Sequence, residues 1–520
     1  MFLNKQFNGV LYCLRTEISR GLLYAKNENK LLIVDETAPS LNDFIKSKGE
    51  GLIVIESKND ISDIIIVNYA FSVNADIKFT NDLQPSEVKD LKDKFVKWKR
   101  DESYGAYLSI LNIINELMKN IKVDNYSYLT FFTDGVPYGA FFNSIIPCSH
   151  VLRSITIDLF IFNNIFFEQY EHYFGSAIVF SPNPPDLATY TKMESEKVCN
   201  TLKNFNLLVK KLLDKNATVE AFDSYVGYYP YDILHICSHG GETDGYYVVQ
   251  EYTDREGIRH TVEYEEVVGF SPDDGEYVNV VSKKIFRYFD GHIWKSEELE
   301  NQKYAQYVYS DMFKALCDKE ERSEITRKKI DYLIESSCYI KCYDNIHQGQ
   351  FHVLASQNYP FVFNNTCNSW GEFETQLIAG GCRAYIGTLW NVGNETATSS
   401  SHIFYSNAFD SNIINSFNSM VNAIDSDKYK DIYLFCGLHF ASLKRPSNLS
   451  NEKIIKELAV SLSRWLEKSS NKKSQEVLRN TIKIIQFLCK ELTPYHDIPG
   501  IIELIVRSVK VCYYLKSKLV

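Results

Sequence analysis

The chain reads as an α/β protein built on a mostly parallel sheet flanked by helices. Short apolar, β-branched runs alternate with amphipathic stretches at helical spacing. Several of these runs are apolar at every position, the mark of strands buried on both faces. Apolar residues make up 45% and charged residues 23% of the 520 positions, so the chain can bury two or three cores. The expected organisation is a small α/β unit over residues 1–100, a main α/β domain over 101–445 with a hairpin-rich insertion at about 246–350, and a helical segment over 446–520.

In the first unit "LLIVDE", "GLIVIES" and "SDIIIVNYAF" read as strands. A helix around "APSLNDFIKSKG" separates the first two, which predicts a βαβ element with a parallel pair. No glycine-rich phosphate loop follows either strand. Next come a helix in "GAYLSILNIINELMKNI", a strand in "YSYLTFF" and a loop in "TDGVPYGAFF". "GSAIVFSPNPPD" is a strand stopped by prolines. "TKMESEKVCNTLKNFNLLVKKLLDKN" has helical spacing, and "ATVEAFDSYVGYYPYDILHICSHGG" gives a helix and a second buried strand. The insertion shows turns at "DREG" and at Asp290-Gly291, then a polar helical stretch. Strand, helix, strand, helix returns from "YPFVFNNTC" to "SHIFYSNAF", and the residues beyond about 446 keep a helical period.

A net charge of −10 argues against a general nucleic-acid binder. The basic run Lys89 to Glu102 is interleaved with acids and reads as the solvated face of a helix. No secretory signal opens the chain and no apolar run has membrane-spanning length, so a cytoplasmic protein without direct nucleic-acid or membrane binding is expected. The 12 cysteines are scattered, mostly inside apolar runs, as reduced buried thiols are. Cys338 and Cys342 lack the second pair that a zinc site needs.

Two stretches carry chemistry. In "DILHICSHGG" strand alternation puts Ile233, His235 and Cys237 on one face, so His235 points into a helix–sheet layer. His239 stands at the carboxyl end, where reacting groups collect in doubly wound sheets. On a strand the two histidines lie about 13 Å apart, which argues against a shared metal. In "YPFVFNNTCNSWGEF" Cys367 also ends a strand, so a thiol and a base reach the same edge. Gly240, without a Cβ, lets backbone N–H groups approach a reacting carbonyl.

"ILHICSHGG", "FVFNNTC" and "LIAGGCRAYIGTLWNV…SHIFYSNAF" together resemble the CHAT family of caspase-like cysteine peptidases, related to caspases and separase. "LTFFTDGVPYGAFF", "AIVFSPNPPDLATYTKMESEKV" and "DIYLFCGLHF" are similar to that family's flanking elements, so the resemblance spans roughly residues 100 to 445. It implies a caspase-like fold and cleavage of a protein substrate through a thioester, without metal or organic cofactor. Cys367 would be the nucleophile, His239 the general acid/base, and the N–H groups of Gly240 and Cys367 the oxyanion hole. It also implies a regulatory protein or ribonucleoprotein partner, and a bacterial, antiviral-defence setting.

The chain departs from the family in two ways: the interval between His239 and Cys367 is unusually long, and no tetratricopeptide repeats are recognisable. Relatives that cut after Lys or Arg have an acid two positions before the cysteine, where this chain has Asn365. Asn365, Glu242, Asp244 and Glu372 are the candidates for substrate contact, and no strong preference for a basic residue before the cut is expected. The alternative is a catalytically silent caspase-like scaffold that acts as a protein-interaction module.

Overall fold

The computed structural model describes residues 7–41, 49–56, 60–80, 90–91, 93–95, 97–98, 104–118, 122–241, 244–272, 278–317, 325–330, 334, 337–348, 351, 353–424, 432–469 and 474–519. Its centre is one ten-stranded sheet, numbered here in chain order. The strands are β1 (Gly51–Ile55), β2 (Ala75–Phe79), β3 (Tyr128–Thr133), β4 (Cys148–Leu152) and β5 (Ser176–Ser181). They continue as β6 (Leu208–Leu213), β7 (Ile233–Ile236), β8 (Phe361–Asn364), β9 (Ala384–Thr388) and β10 (Tyr433–Gly437). The spatial order is β2-β1-β3-β4-β10-β9-β8-β7-β5-β6.

Every neighbouring pair is parallel except β9 with β10. Strand direction reverses at that seam. The carboxyl ends of β5 to β9 form one edge, and those of β1 to β4 lie on the opposite edge. All strands but the outer β2 and β6 are buried at every position, which is why most of them read as apolar runs; β4, which carries Ser149 and His150, was not expected from the sequence.

The first hundred residues differ from expectation in pairing and in one element. "LLIV" does not pair with "GLIVI": Leu31–Val34 pairs with Val10–Cys13 in a separate two-stranded sheet, and β1 lies between β2 and β3. Of the strands expected in a separate N-terminal unit, only "GLIVI" shares a sheet with those of the main domain, joined there by Ala75–Phe79. "SDIIIVNYAF" is a helix, Ile61–Ser72, because Asp60 caps it by accepting from the Ser62 and Asp63 amides. That cap outweighs the strand preference of the isoleucines. The helix expected around "APSLNDFIKSKG" falls largely outside the described residues. Within the long stretch read as helical, Ala188–Asn204 is a helix but Leu208–Leu213 is the edge strand β6.

The insertion forms a five-stranded antiparallel sheet with the Gln306–Cys317 helix packed on a core of Val248, Tyr252, Val262, Phe289 and Met312. Both expected turns are present: Tyr246–Thr253 pairs with Arg259–Pro272, and Val278–Phe289 pairs with His292–Ile293. Three terminal helices, Ser450–Lys468, Gln475–Leu492 and Ile501–Lys516, complete the chain. Lys453 anchors the first by pairing with Asp232 at 3.1 Å and Glu171 at 2.9 Å. No described helix is long and apolar enough to cross a membrane.

Candidate active site

β7 and β8 are parallel neighbours, with Ile236 opposite Asn364, and the Asn365 amide extends the ladder by donating to the Ile236 carbonyl at 3.0 Å. His239 and Cys367 therefore leave the sheet at the same level, each three residues past that last pair. Their loops touch backbone to backbone. A Cβ on Gly240 would sit 2.5 Å from Thr366 Oγ1, and one on Gly241 2.7 Å from the Cys367 carbonyl oxygen. Gly241 also has a φ of 122°, which a side chain would strain. The return limb of the insertion holds the histidine loop, since Gly240 and Gly241 pair with Ile340 and Tyr339. The Lys341 amide donates to the His239 carbonyl at 2.9 Å.

The cysteine loop is pinned to the end of β9. Thr388 Oγ1 donates to the Thr366 carbonyl at 2.6 Å, and the Trp370 amide donates to the Thr388 carbonyl at 2.9 Å. Ser369 Oγ donates back to the Asn364 carbonyl at 3.0 Å. Cys367 is half-buried, and burial pushes its thiol up, while the N–H groups of Val392 and of Cys367 itself pull it down. Tyr339 lies close enough that the Cys367 thiolate raises its phenol, after the larger effect of burial.

His239 Nε2 is 2.6 Å from Asp186 Oδ2, on the loop that follows β5. That hydrogen bond is the main reason the Asp186 carboxyl is held below its ordinary range. Among the described residues, no hydrogen bond joins His239 to Cys367. The free chain thus holds a thiol without a bonded base. Its alkylation by iodoacetamide is expected to be slow at pH 7 and to keep rising past the ordinary thiol range, because the raised pKa leaves little thiolate below it. A plateau reached below pH 8 in stopped-time mass spectrometry would show a base already engaged.

His235 is fully buried, as strand alternation predicts, and its Nε2 meets Glu194 Oε1 at 2.9 Å. The same oxygen accepts from Asn365 Nδ2 at 2.6 Å, whose second hydrogen goes to the Ala397 carbonyl at 2.8 Å. Tyr433 donates to Asn365 Oδ1 at 2.7 Å. The Asn365 side-chain amide is therefore engaged in the core at both its nitrogen and its oxygen. Glu194, His235 and Cys237 also offer three buried ligand atoms within 4.8 Å of one another. A metal there would have to displace the bonds from His235 and Asn365 and ionise a thiol that burial holds well above its ordinary value.

Of the other expected contacts, Asp244 is exposed and faces Lys329 at 3.7 Å. Glu242 lies outside the described residues, and Glu372 opens the helix Glu372–Ala379. Sequence reasoning missed Asp186, Glu194 and the Val392 amide. Only Asp186 left a trace, as an acid in the proline-rich loop at the same sheet edge.

No family model matches the chain, and no curated protein matches it. Among solved structures it is similar to a chain described as "Complex of Porphyromonas gingivalis RgpB pro- and mature domains". The TM-score is 0.39 and the identity 12%, over 76% of this chain and 80% of that chain, too distant to support a functional inference.

Proposed function

We propose that the chain is a caspase-like cysteine endopeptidase with Cys367 as nucleophile, His239 as general acid/base and Asp186 orienting the imidazole. The carrying observation is the emergence of His239 and Cys367 at one level from adjacent parallel strands, on loops in backbone contact. With Nε2 held by Asp186, Nδ1 is the nitrogen left to take the thiol proton. The thiolate, stabilised by the Val392 N–H, attacks the peptide carbonyl, and backbone N–H groups at Gly240 and Cys367 are the donors for the oxyanion. His239 then protonates the leaving amine and activates the water that hydrolyses the thioester.

The missing His239–Cys367 bond supports an enzyme that completes its dyad only on engagement with substrate or partner. The long interval that the insertion fills suits such control, as does the CHAT-like sequence pattern with its cytoplasmic, defence-type setting and regulatory protein or ribonucleoprotein partner. The same missing bond also favours the silent-scaffold reading. Co-expression with neighbouring gene products, followed by a search for new protein termini, separates the two. New termini that appear with wild type and vanish with Cys367→Ala are expected; identical termini in both would leave only the scaffold. Because the Asn365 amide is engaged in the core, peptide-library profiling is expected to show no strict Arg or Lys preference before the cut.

A further inference from the structure

The last helix, Ile501–Lys516, carries a row of side chains on each of two faces. Ile501, Ser508, Cys512 and Leu515 turn inward and are buried where this helix packs on the two helices before it. Ile502, Val506, Val509 and Tyr513 form an outer row, from 44% to 80% exposed. Their spacing of four, three and four residues is that of a coiled-coil seam, which keeps a row turned toward one partner helix. Scattered apolar residues on a surface need no explanation, but an aligned row marks a face that another chain covers.

Two properties of the row select that chain. The spacing reads the same in both directions, so an antiparallel copy of the helix matches it layer by layer. Ile502 then meets Tyr513 of the second copy, and Val506 meets Val509. The charges are self-complementary as well. Glu503 and Lys510 stand about two turns apart on one flank of the row. Both are exposed, and neither has an ion-pair partner among the described residues. A two-fold axis across the helix pair keeps the two flanks on the same side. It sets Glu503 of each copy within about 3 Å of axial rise of Lys510 of the other. A wholly basic or wholly acidic partner would match only one of the two charges.

We propose that this face is a homodimer interface, on which the helix pairs antiparallel with the same helix of a second copy. The interface does not depend on the chemistry at Cys367. One helix pair is small for a stable complex, so dimerisation is weak and rises with concentration. The test is sedimentation velocity of the full chain from micromolar to near-millimolar concentration, with helix content followed by circular dichroism. The weight-average mass of the wild type should rise from one chain toward two. Val509→Glu, which places charge in the seam at an exposed position, should stay at one chain with unchanged helix content. Glu503→Lys and Lys510→Glu should each weaken dimerisation about tenfold, since each turns two attractions into two repulsions. The double variant restores both pairs in swapped order and should return to within about threefold of wild type. A mass of one chain at every wild-type concentration, dimerisation of Val509→Glu as strong as wild type, or a double variant as weak as either single one would overturn the proposal.

Discussion

His239→Ala should slow labelling of Cys367 by a peptidyl acyloxymethyl ketone about a thousandfold or more, with an unchanged unfolding midpoint. A peptidyl warhead reports the assembled dyad, and removal of a catalytic base costs this much where nucleophile and base act as one unit. Asp186→Asn should cost less, about tenfold. Asp186 is 66% exposed and His239 38%, so water shares the orienting role that a buried carboxylate would hold alone. The order of the two effects is the informative part. Labelling equal to wild type in His239→Ala would remove the histidine from the chemistry. A larger loss in Asp186→Asn than in His239→Ala would make the aspartate the base.

The second large effect is expected in the core behind the cysteine. Glu194→Ala should lower stability by about 3–5 kcal/mol, measured as a shift in urea unfolding, because it strands the buried donors of His235 and Asn365 and leaves a cavity. Glu194→Gln keeps an acceptor oxygen of the same shape and should lose less than half as much. Asn365 stands two residues before Cys367, so the alanine variant should also broaden the reactivity of the thiol. Equal losses in both variants would mean that carboxylate charge, rather than an acceptor in that place, is what the network needs.

The buried strands were legible because parallel strands covered on both faces have no polar alternation to obscure them. β3, β5, β7, β8 and β9 all read this way, while β10 entered only through the family resemblance. The helix Ile61–Ser72 was not, since a run of isoleucines and valine carries a strand signature and only the Asp60 cap reveals its state. β6 failed in the other direction. It is an edge strand with one paired side, and its leucines mimic helical spacing. Strand order was invisible throughout: nothing local in "GLIVI" says that its neighbours are residues 75–79 and 128–132. The placement of His239 and Cys367 just past two strand ends was legible from the strands that deliver them. Asp186 was not, because its bond to His239 spans 53 residues and depends on how two loops fold over one edge.

The reversed seam has a consequence for how the chain is made. β10 is the last strand to be synthesised, yet it stands mid-sheet between β4 and β9. Until residue 437 leaves the ribosome, the strands of residues 51–152 and of residues 176–388 have no backbone bond to each other. Each half can condense during translation, but the join is a late, long-range closure of the kind that folds slowly and exposes open edges while it waits. A chain cut before β10 would yield two half-sheets with bare edges, prone to aggregate, whatever the state of its cysteine.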